Sequence, residues 1–377
     1  MALFYTYTCK QFLSTFISGE YLLGIAIFLF VPFTAYSASN QLLFVVPVLS
    51  SSHAVPPLVG SGGQVPATVH PNIVHGLYCP DFLDGNTVNS CFDGINSQTG
   101  KNVSLAGLFF DAEEGNPQYN LKTQLEALWQ KGITPFVNLT IGTVNEQRTA
   151  YDLARGVLDS GLNNVALAYK SWVDQGGGRM AFIAPLPEMN ETKGNTYGGD
   201  PVNFKLAFEH VITKFQSKGI PDGAVRWVFA PNGYDETGEA KFEEYYPGNT
   251  LVDVVGFSAY NWGYCIGQWD KWQNVEDLMF PYVLRMQVLT PAKPIFITQT
   301  ASTSHSAQGD QDYPLKNAWL ERTYSKLASL KNVRAILYFN KDKECDWSYT
   351  PPPVFDGLKQ GLSSYKYIAP ADMQSSF

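Results

Sequence analysis

Beyond residue 75 the chain alternates between two periods of apolar residues. Short runs rich in β-branched and aromatic residues read as strands at 76–78, 103–110, 134–139, 180–186, 225–230, 252–258, 294–298 and 333–339. Between them, helical spacing recurs at 121–131, 156–175, 201–219, 239–245, 275–289 and 315–330, and a last helix at 354–362 closes the series. Runs such as Val252-Asp253-Val254-Val255-Gly256-Phe257 are almost continuously apolar, as a parallel sheet covered on both faces requires. Eight strand–helix units over about 290 residues predict a single-domain (β/α)8 barrel of the TIM class. The rival is an open doubly wound sheet, which needs a glycine-rich nucleotide turn after its first strand. None follows here, and Gly176-Gly177-Gly178 lies in a turn before a strand.

A barrel of this kind gathers its chemistry at the carboxyl ends of its strands. The polar residues predicted there are Asp111, Asn138, Glu188, Asn232, Tyr260, Gln299 and Asn340. Each could simply cap a loop, a reading that fits Glu188 and Gln299 least well. The strand from Phe182 ends in Glu188-Met189-Asn190, and the one from Lys293 ends in Gln299-Thr300-Ala301-Ser302. Two carboxylates so placed would serve a glycosidase as acid and nucleophile. The second position here carries an amide, which is nearly isosteric but neutral and weakly nucleophilic.

Composition narrows the partner. The chain has 8 Trp, 21 Tyr and 24 Phe, more rings than most cores need, and a sugar presents an apolar C–H face that stacks on a ring. Trp262, Trp269, Trp272 and Trp347 fall near strand ends and are candidate platforms, although core filling accounts for most of the rings. A net charge of −8 with scattered Lys and Arg excludes a nucleic-acid partner. The five His are isolated, with no metal-ligand spacing, so neither a metal nor a cofactor is expected.

Residues 21–33 form an uncharged apolar run, shorter than the ~20 residues of a spanning helix and followed by small residues at 34–39. Residues 1–39 therefore read as a signal peptide or, extended by the apolar stretch 42–49, as a membrane anchor. Residues 40–70 read as linker, 71–367 as barrel and 368–377 as tail. A secreted or cell-surface monomer is expected. Leaving aside Cys9 in the targeting segment, four cysteines remain, and an exported chain pairs them. Cys79 and Cys91 are close in sequence, while Cys265 and Cys345 follow the sixth and eighth strands, whose loops rise from one face. Asn102, Asn138 and Asn190 head glycosylation sequons.

The strand ends resemble those of glycoside hydrolase family 26, the β-mannanase family of a retaining (β/α)8 clan. Glu188-Met189-Asn190 matches its acid/base block. Val252-Asp253-Val254-Val255-Gly256-Phe257-Ser258-Ala259-Tyr260-Asn261 looks like the block whose Tyr orients the nucleophile. Lys293-Pro294-Ile295 through Ser302 looks like the nucleophile strand, and Val225 through Asn232 fits the fifth strand. The resemblance spans about residues 75–365. It implies Glu188 as general acid/base, Tyr260 as orienting residue and Gln299 at the nucleophile's place. It further implies polysaccharide or oligosaccharide contacts from Asp111, Asn138, Asn190, Asn232, Trp262, Trp269, Asn340 and Trp347. Three departures stand out: Pro187 where the family has His before the acid, residues 191–195 in place of a Trp-bearing segment, and Gln299 itself. Three functions follow: a β-mannan or β-glucan hydrolase, a disarmed carbohydrate-binding relative, and a surface structural protein. In the first, Asp111, Glu113, Asp270, Asp342, Glu344 or Asp346 would supply the second carboxylate.

Overall fold

Parallel strands close a barrel in strict chain order: β1 (Val74–Tyr78), β2 (Leu105–Asp111), β3 (Thr134–Thr140), β4 (Ala181–Pro185), β5 (Val225–Phe229), β6 (Val254–Asn261), β7 (Ile295–Ser302) and β8 (Val333–Phe339), which pairs back onto β1. The computed structural model describes residues 73–377 except 80, 114–115, 143–148, 193–196, 268–270 and 350–354. The signal-or-anchor and linker readings, with Trp269 and Asp270, lie outside the described residues. No helix among the described residues is long and apolar enough to cross a membrane.

The helices are α1 (Thr87–Thr99), α2 (Pro117–Gln130), α3 (Thr149–Ala154), α4 (Asp159–Val173), α5 (Pro201–Ser217), α6 (Phe242–Tyr245), α7 (Val275–Leu289), α8 (Tyr313–Leu327), α9 (Asp356–Gly361) and α10 (Pro370–Ser376). Helix α5 starts where Pro201 places it: Pro needs no N–H partner in the first turn, and the Asp200 carboxylate caps by accepting from the Asn203 N–H at 3.1 Å. Apolar residues sort into two layers by strand alternation. Val74, Leu105, Phe136, Phe182, Val228, Val254, Phe296 and Leu337 fill the barrel interior. A larger cluster, including Leu77, Val137, Ile183, Phe229, Val255 and Ile336, packs strands against helices.

Three elements differ from the sequence reading; one is the short α3 (Thr149–Ala154), which precedes the expected 156–175 helix. Residues 87–99 form α1, although their apolar residues are too sparse among Asn, Ser and Gly to announce a helix; only Val88, Phe92 and Ile95 are buried. Residues 368–377 are not a free tail. They form α10, which plugs the barrel: Met373 is fully buried, and the Phe377 ring lies 5.6 Å from Phe182 and 5.1 Å from Phe296, both interior residues.

Both expected disulfides are present. Cys79–Cys91 and Cys265–Cys345 have Cα separations of 6.1 and 5.9 Å, inside the reach of an unstrained bridge. The second closes 80 residues of sequence, which chain entropy values at roughly 4 kcal/mol. Of the three sequons only Asn102 is exposed, so Asn138 and Asn190 are closed to glycosylation in the folded state.

His75, on β1, is fully buried against Tyr324, Tyr349 and Tyr365, and burial pushes its pKa from 6.5 down to about 3. The unfolded chain therefore binds a proton that the native state refuses between those values. Stability is expected to fall by roughly 1.4 kcal/mol per pH unit as pH drops through this window, over and above other groups. His75→Gln should flatten that slope in denaturant melts from pH ~6.5 to ~4.

Candidate active site

Glu188 stands just beyond β4 in a turn where two non-glycine residues hold positive φ, Leu186 at 49° and Glu188 at 61°. Such backbone is costly for L-residues, so the surroundings must hold it in place. The Leu186 N–H donates to the Leu139 carbonyl at 2.8 Å and the Glu188 N–H to the Ala230 carbonyl at 2.7 Å, while the Tyr197 hydroxyl donates to the Pro187 carbonyl at 2.8 Å. Met189 is fully buried beneath. This turn aims the Glu188 side chain into the mouth, where part of its surface stays open.

Desolvation raises the Glu188 pKa, and the charge of Glu191 adds to it; a hydrogen bond from the Ser258 hydroxyl to Oε1 and the charge of Lys343 oppose the rise. The native state thus holds a carboxyl proton more tightly than the unfolded chain does. The stabilisation is complete below the unfolded carboxyl pKa and is lost as pH rises through the higher native value. Glu188→Gln keeps a Ser258 acceptor but cannot ionise. It is expected to gain thermal stability relative to the wild type at mildly alkaline pH, with the gain shrinking at acid pH.

Gln299 owes its position to an irregularity in β7. Phe257 pairs with Ile297, yet Ser258 pairs with Gln299, so Thr298 is an extra residue against β6. Against β8, Ile297 pairs with Ile336 and Thr300 with Tyr338, leaving one surplus residue on the same stretch. A bulge of this kind re-aims side chains. Gln299 is 6% exposed and its Oε1 accepts from the Tyr260 hydroxyl at 3.0 Å. Ser258 ties the pair together: it lies beside Gln299 in register and donates to Glu188. Glu188, Gln299 and Tyr260, all named from sequence, therefore meet in one place.

The remaining expected contacts divide. Asn190 is 1% exposed, and its amide is engaged with backbone: Nδ2 donates to the Asn232 and Tyr234 carbonyls, both at 2.9 Å, and Oδ1 accepts from the Asn232 N–H at 2.7 Å. It splices the β4 and β5 loops instead of facing the cleft. The Asn232 Nδ2 donates to Glu191 Oε2 at 3.2 Å. Asn138 is buried and donates to the Tyr78 hydroxyl at 2.7 Å, below the mouth. Asn340 Oδ1 accepts from the Tyr349 N–H at 2.8 Å. Asp111 braces its own loop, accepting from Thr140 Oγ1 at 2.9 Å and the Glu113 N–H at 2.8 Å. Trp347, expected as a platform, has no exposed surface. It backs Tyr260 at 5.3 Å and Trp262 at 4.9 Å, because the β8–α9 loop is drawn inward. Trp262 and Trp272 are half-buried.

That loop is anchored by the Cys265–Cys345 bridge and by Asp346, which accepts from Thr303 Oγ1 and Ser304 Oγ, both at 2.5 Å. Fully buried Lys316 donates to the Asp346 and Ser348 carbonyls at 2.5 and 2.9 Å; burial lowers its pKa to about 8, against the pull of Asp346 and Asp342. Asp342 accepts from the Ser348 hydroxyl at 2.7 Å, and Glu344 from the Trp347 indole N–H at 3.2 Å. The carboxylates of Asp111, Asp342, Glu344 and Asp346 are thus tied into loop structure. The charge closest in effect to Glu188 is instead Glu191, whose own pKa is raised by burial and by Glu236, against a hydrogen bond from Asn232.

Two rings in the mouth, Phe109 and Phe339, escaped sequence reasoning. Phe109 is 52% exposed although it lies within β2; its neighbours two and four positions earlier, Gly107 and Leu105, face the barrel interior, so Phe109 does too, at the open end. It stacks on Tyr78 at 5.0 Å and meets Phe339 edge-on at 6.1 Å, and Phe339 meets Tyr260 at 6.0 Å. Gly107 makes this possible: a Cβ there would fall 2.0 Å from the Tyr78 ring. The clue in the sequence was the alternation Leu105, Gly107, Phe109. A concavity of about 700 Å³ also opens beside α1 and α2, lined by Asn89, Lys122 and Gln130 among others and by none of the strand-end residues described above.

No family model matches the chain. Endoglucanase H of Acetivibrio thermocellus is 25% identical over 225 residues, covering 57% of this chain; the chain spans 22% of that protein. Among solved structures, the β-mannanase from a symbiotic protist of the termite Reticulitermes speratus aligns at TM-score 0.54 and 16% identity, over 81% of this chain and 90% of that one. The family 26 β-mannanase of Bacteroides ovatus aligns at 0.55 and 15%, over 80% and 91%. A family 26 protein of Muricauda aligns at 0.57 and 14%, over 81% and 89%. In fold, this chain is similar to the family 26 glycoside hydrolases, in agreement with what its strand-end motifs imply.

Proposed function

We propose that this protein is a glycoside hydrolase-type protein acting on β-linked polysaccharide such as β-mannan or β-glucan, with Glu188 as general acid/base. The observation that carries this is the desolvated Glu188 carboxyl, presented by strained backbone at a ring-lined mouth. A raised pKa favours the protonated carboxyl, the form that can protonate the leaving glycosidic oxygen. Gln299 cannot attack the anomeric carbon. Water then forms the new bond to that carbon as the glycosidic C–O bond breaks, and releases its own proton to solvent. Without a carboxylate to form a glycosyl intermediate, turnover is slow. Phe109, Phe339, Tyr260 and Trp262 supply apolar faces for the sugar rings. The names of the similar proteins, β-mannanases and an endoglucanase, agree with this substrate class. The two disulfides and the apolar segment at 21–33 favour a secreted or surface-held protein, with residues 71–367, closed by α10, as the catalytic-type domain.

One observation favours a second reading. An amide held by Tyr260 where this architecture places a nucleophile suits glycan binding without turnover. Affinity electrophoresis and reducing-sugar release on β-mannan and mixed-linkage β-glucan test both. Retardation with release that disappears in Glu188→Gln supports the first reading. Retardation without wild-type release supports the second, and no retardation on either polymer removes both.

A further inference from the structure

The rim above β1 and β2 carries a pair of exposed rings that no step so far uses. Phe82 and Tyr119 lie parallel, with planes 10° apart and centroids separated by 6.3 Å. They are 39% and 62% exposed. Neither sits on a loose backbone. Phe82 belongs to the β1–α1 loop, which the Cys79–Cys91 bridge closes. The Thr87 hydroxyl donates to its carbonyl at 2.6 Å, and Asp84 Oδ1 accepts from the Asn86 and Thr87 N–H groups at 2.8 and 2.9 Å. The next residue, Leu83, is buried, and its N–H donates to Gln124 of α2 at 3.3 Å. Tyr119 lies in the first turn of α2, which Pro117 opens, and its N–H donates to the Asn116 carbonyl at 3.0 Å. Single exposed rings are ordinary. Two parallel rings on a cross-linked, hydrogen-bonded rim form a preorganised apolar surface, whose ordering cost is met in the fold and not at binding.

We propose that Phe82 and Tyr119 form an outlying platform for a β-linked polysaccharide strand that extends from the mouth across β1 and β2. This rests on the glycan reading above. The occupant follows from continuity: β1 and β2 are adjacent, Tyr78 at the end of β1 stacks on Phe109 at the mouth end of β2, and Phe82 follows Tyr78 by four residues. Ring contacts run from Tyr260 through Phe339 to Phe109 at the mouth, and the Phe82–Tyr119 pair stands on the segments that follow β1 and β2. A neutral chain of pyranoses, with an apolar face on each residue, matches flat rings. The platform discriminates by length, since a short oligosaccharide filling the mouth does not reach it.

The test compares wild type, Phe82→Ala/Tyr119→Ala and Phe82→Tyr on β-mannan, mixed-linkage β-glucan and the matching trisaccharides. The double variant is expected to bind polymer about tenfold more weakly while keeping trisaccharide affinity, and Phe82→Tyr to match the wild type. Thermal melts confirm that the double variant is folded, and Phe82→Leu/Tyr119→Leu, apolar but without flat faces, should show the same loss. Equal polymer affinity in wild type and double variant overturns the platform and leaves the mouth reading standing. Equal affinity combined with wild-type self-association that the double variant loses reassigns the rings to a contact between copies. Failure of the wild type to bind either polymer overturns the glycan reading and the platform together.

Discussion

Gln299→Glu is expected to release reducing sugar from β-mannan or mixed-linkage β-glucan about 10²–10³ times faster than the wild type, the scale of one positioned group acting on developing charge in a water-poor site. The surroundings of Gln299 can receive a carboxylate in its place. The bulge at Thr298 and Gln299 aims the side chain, and the Tyr260 hydroxyl donates to Oε1, a bond a carboxylate oxygen accepts equally well. Ser258, beside Gln299 in register, keeps Glu188 close. A second negative charge here would raise the Glu188 pKa further, because like charges oppose each other's ionisation. That holds the acid protonated while the new carboxylate attacks, the division of labour of a retaining pair. The gain should come with a bell-shaped pH dependence whose alkaline limb reports Glu188.

The second large effect is the loss caused by Glu188→Gln. Proton transfer by a positioned acid contributes about 10²–10⁴ in rate, and the variant should lose that much on polysaccharide, both in wild type and in the Gln299→Glu background. The loss should depend on the leaving group. Aryl glycosides whose phenolate departs unaided should suffer far less than sugars, because they need little protonation. A purely structural role for Glu188 would instead depress both substrates alike. Polymer binding should persist in Glu188→Gln, since Phe109, Phe339 and the rim rings are untouched.

Much of this was legible in the chain, for a physical reason. Parallel barrel strands are buried on both faces, so runs such as Phe182 to Leu186 stand out, and polar residues at their ends stand out against them. Glu188, Tyr260 and Gln299 stand out that way, and the fold brings them together. Cys265 and Cys345 were pairable because the loops after β6 and β8 flank the same mouth. What escaped depends on tertiary packing. Phe109 looks like core until alternation and barrel closure place it at the open end. Trp347 looks like a platform until the β8–α9 loop draws it beneath Trp262. The bulge in β7 leaves no mark in composition, and Ser258 gains its role only once Glu188 faces it. Helix α10 is short and bears few apolar residues, yet Met373 and Phe377 close the barrel interior.

The most direct measurement is reducing-sugar release on β-mannan and mixed-linkage β-glucan by wild type, Gln299→Glu and Gln299→Glu/Glu188→Gln, side by side. If Glu188 and Gln299 occupy the acid and nucleophile places of one glycan site, Gln299→Glu will far exceed the wild type and the double variant will lose that gain. A folded Gln299→Glu with no added release on either polymer, or a gain that survives Glu188→Gln, would contradict it.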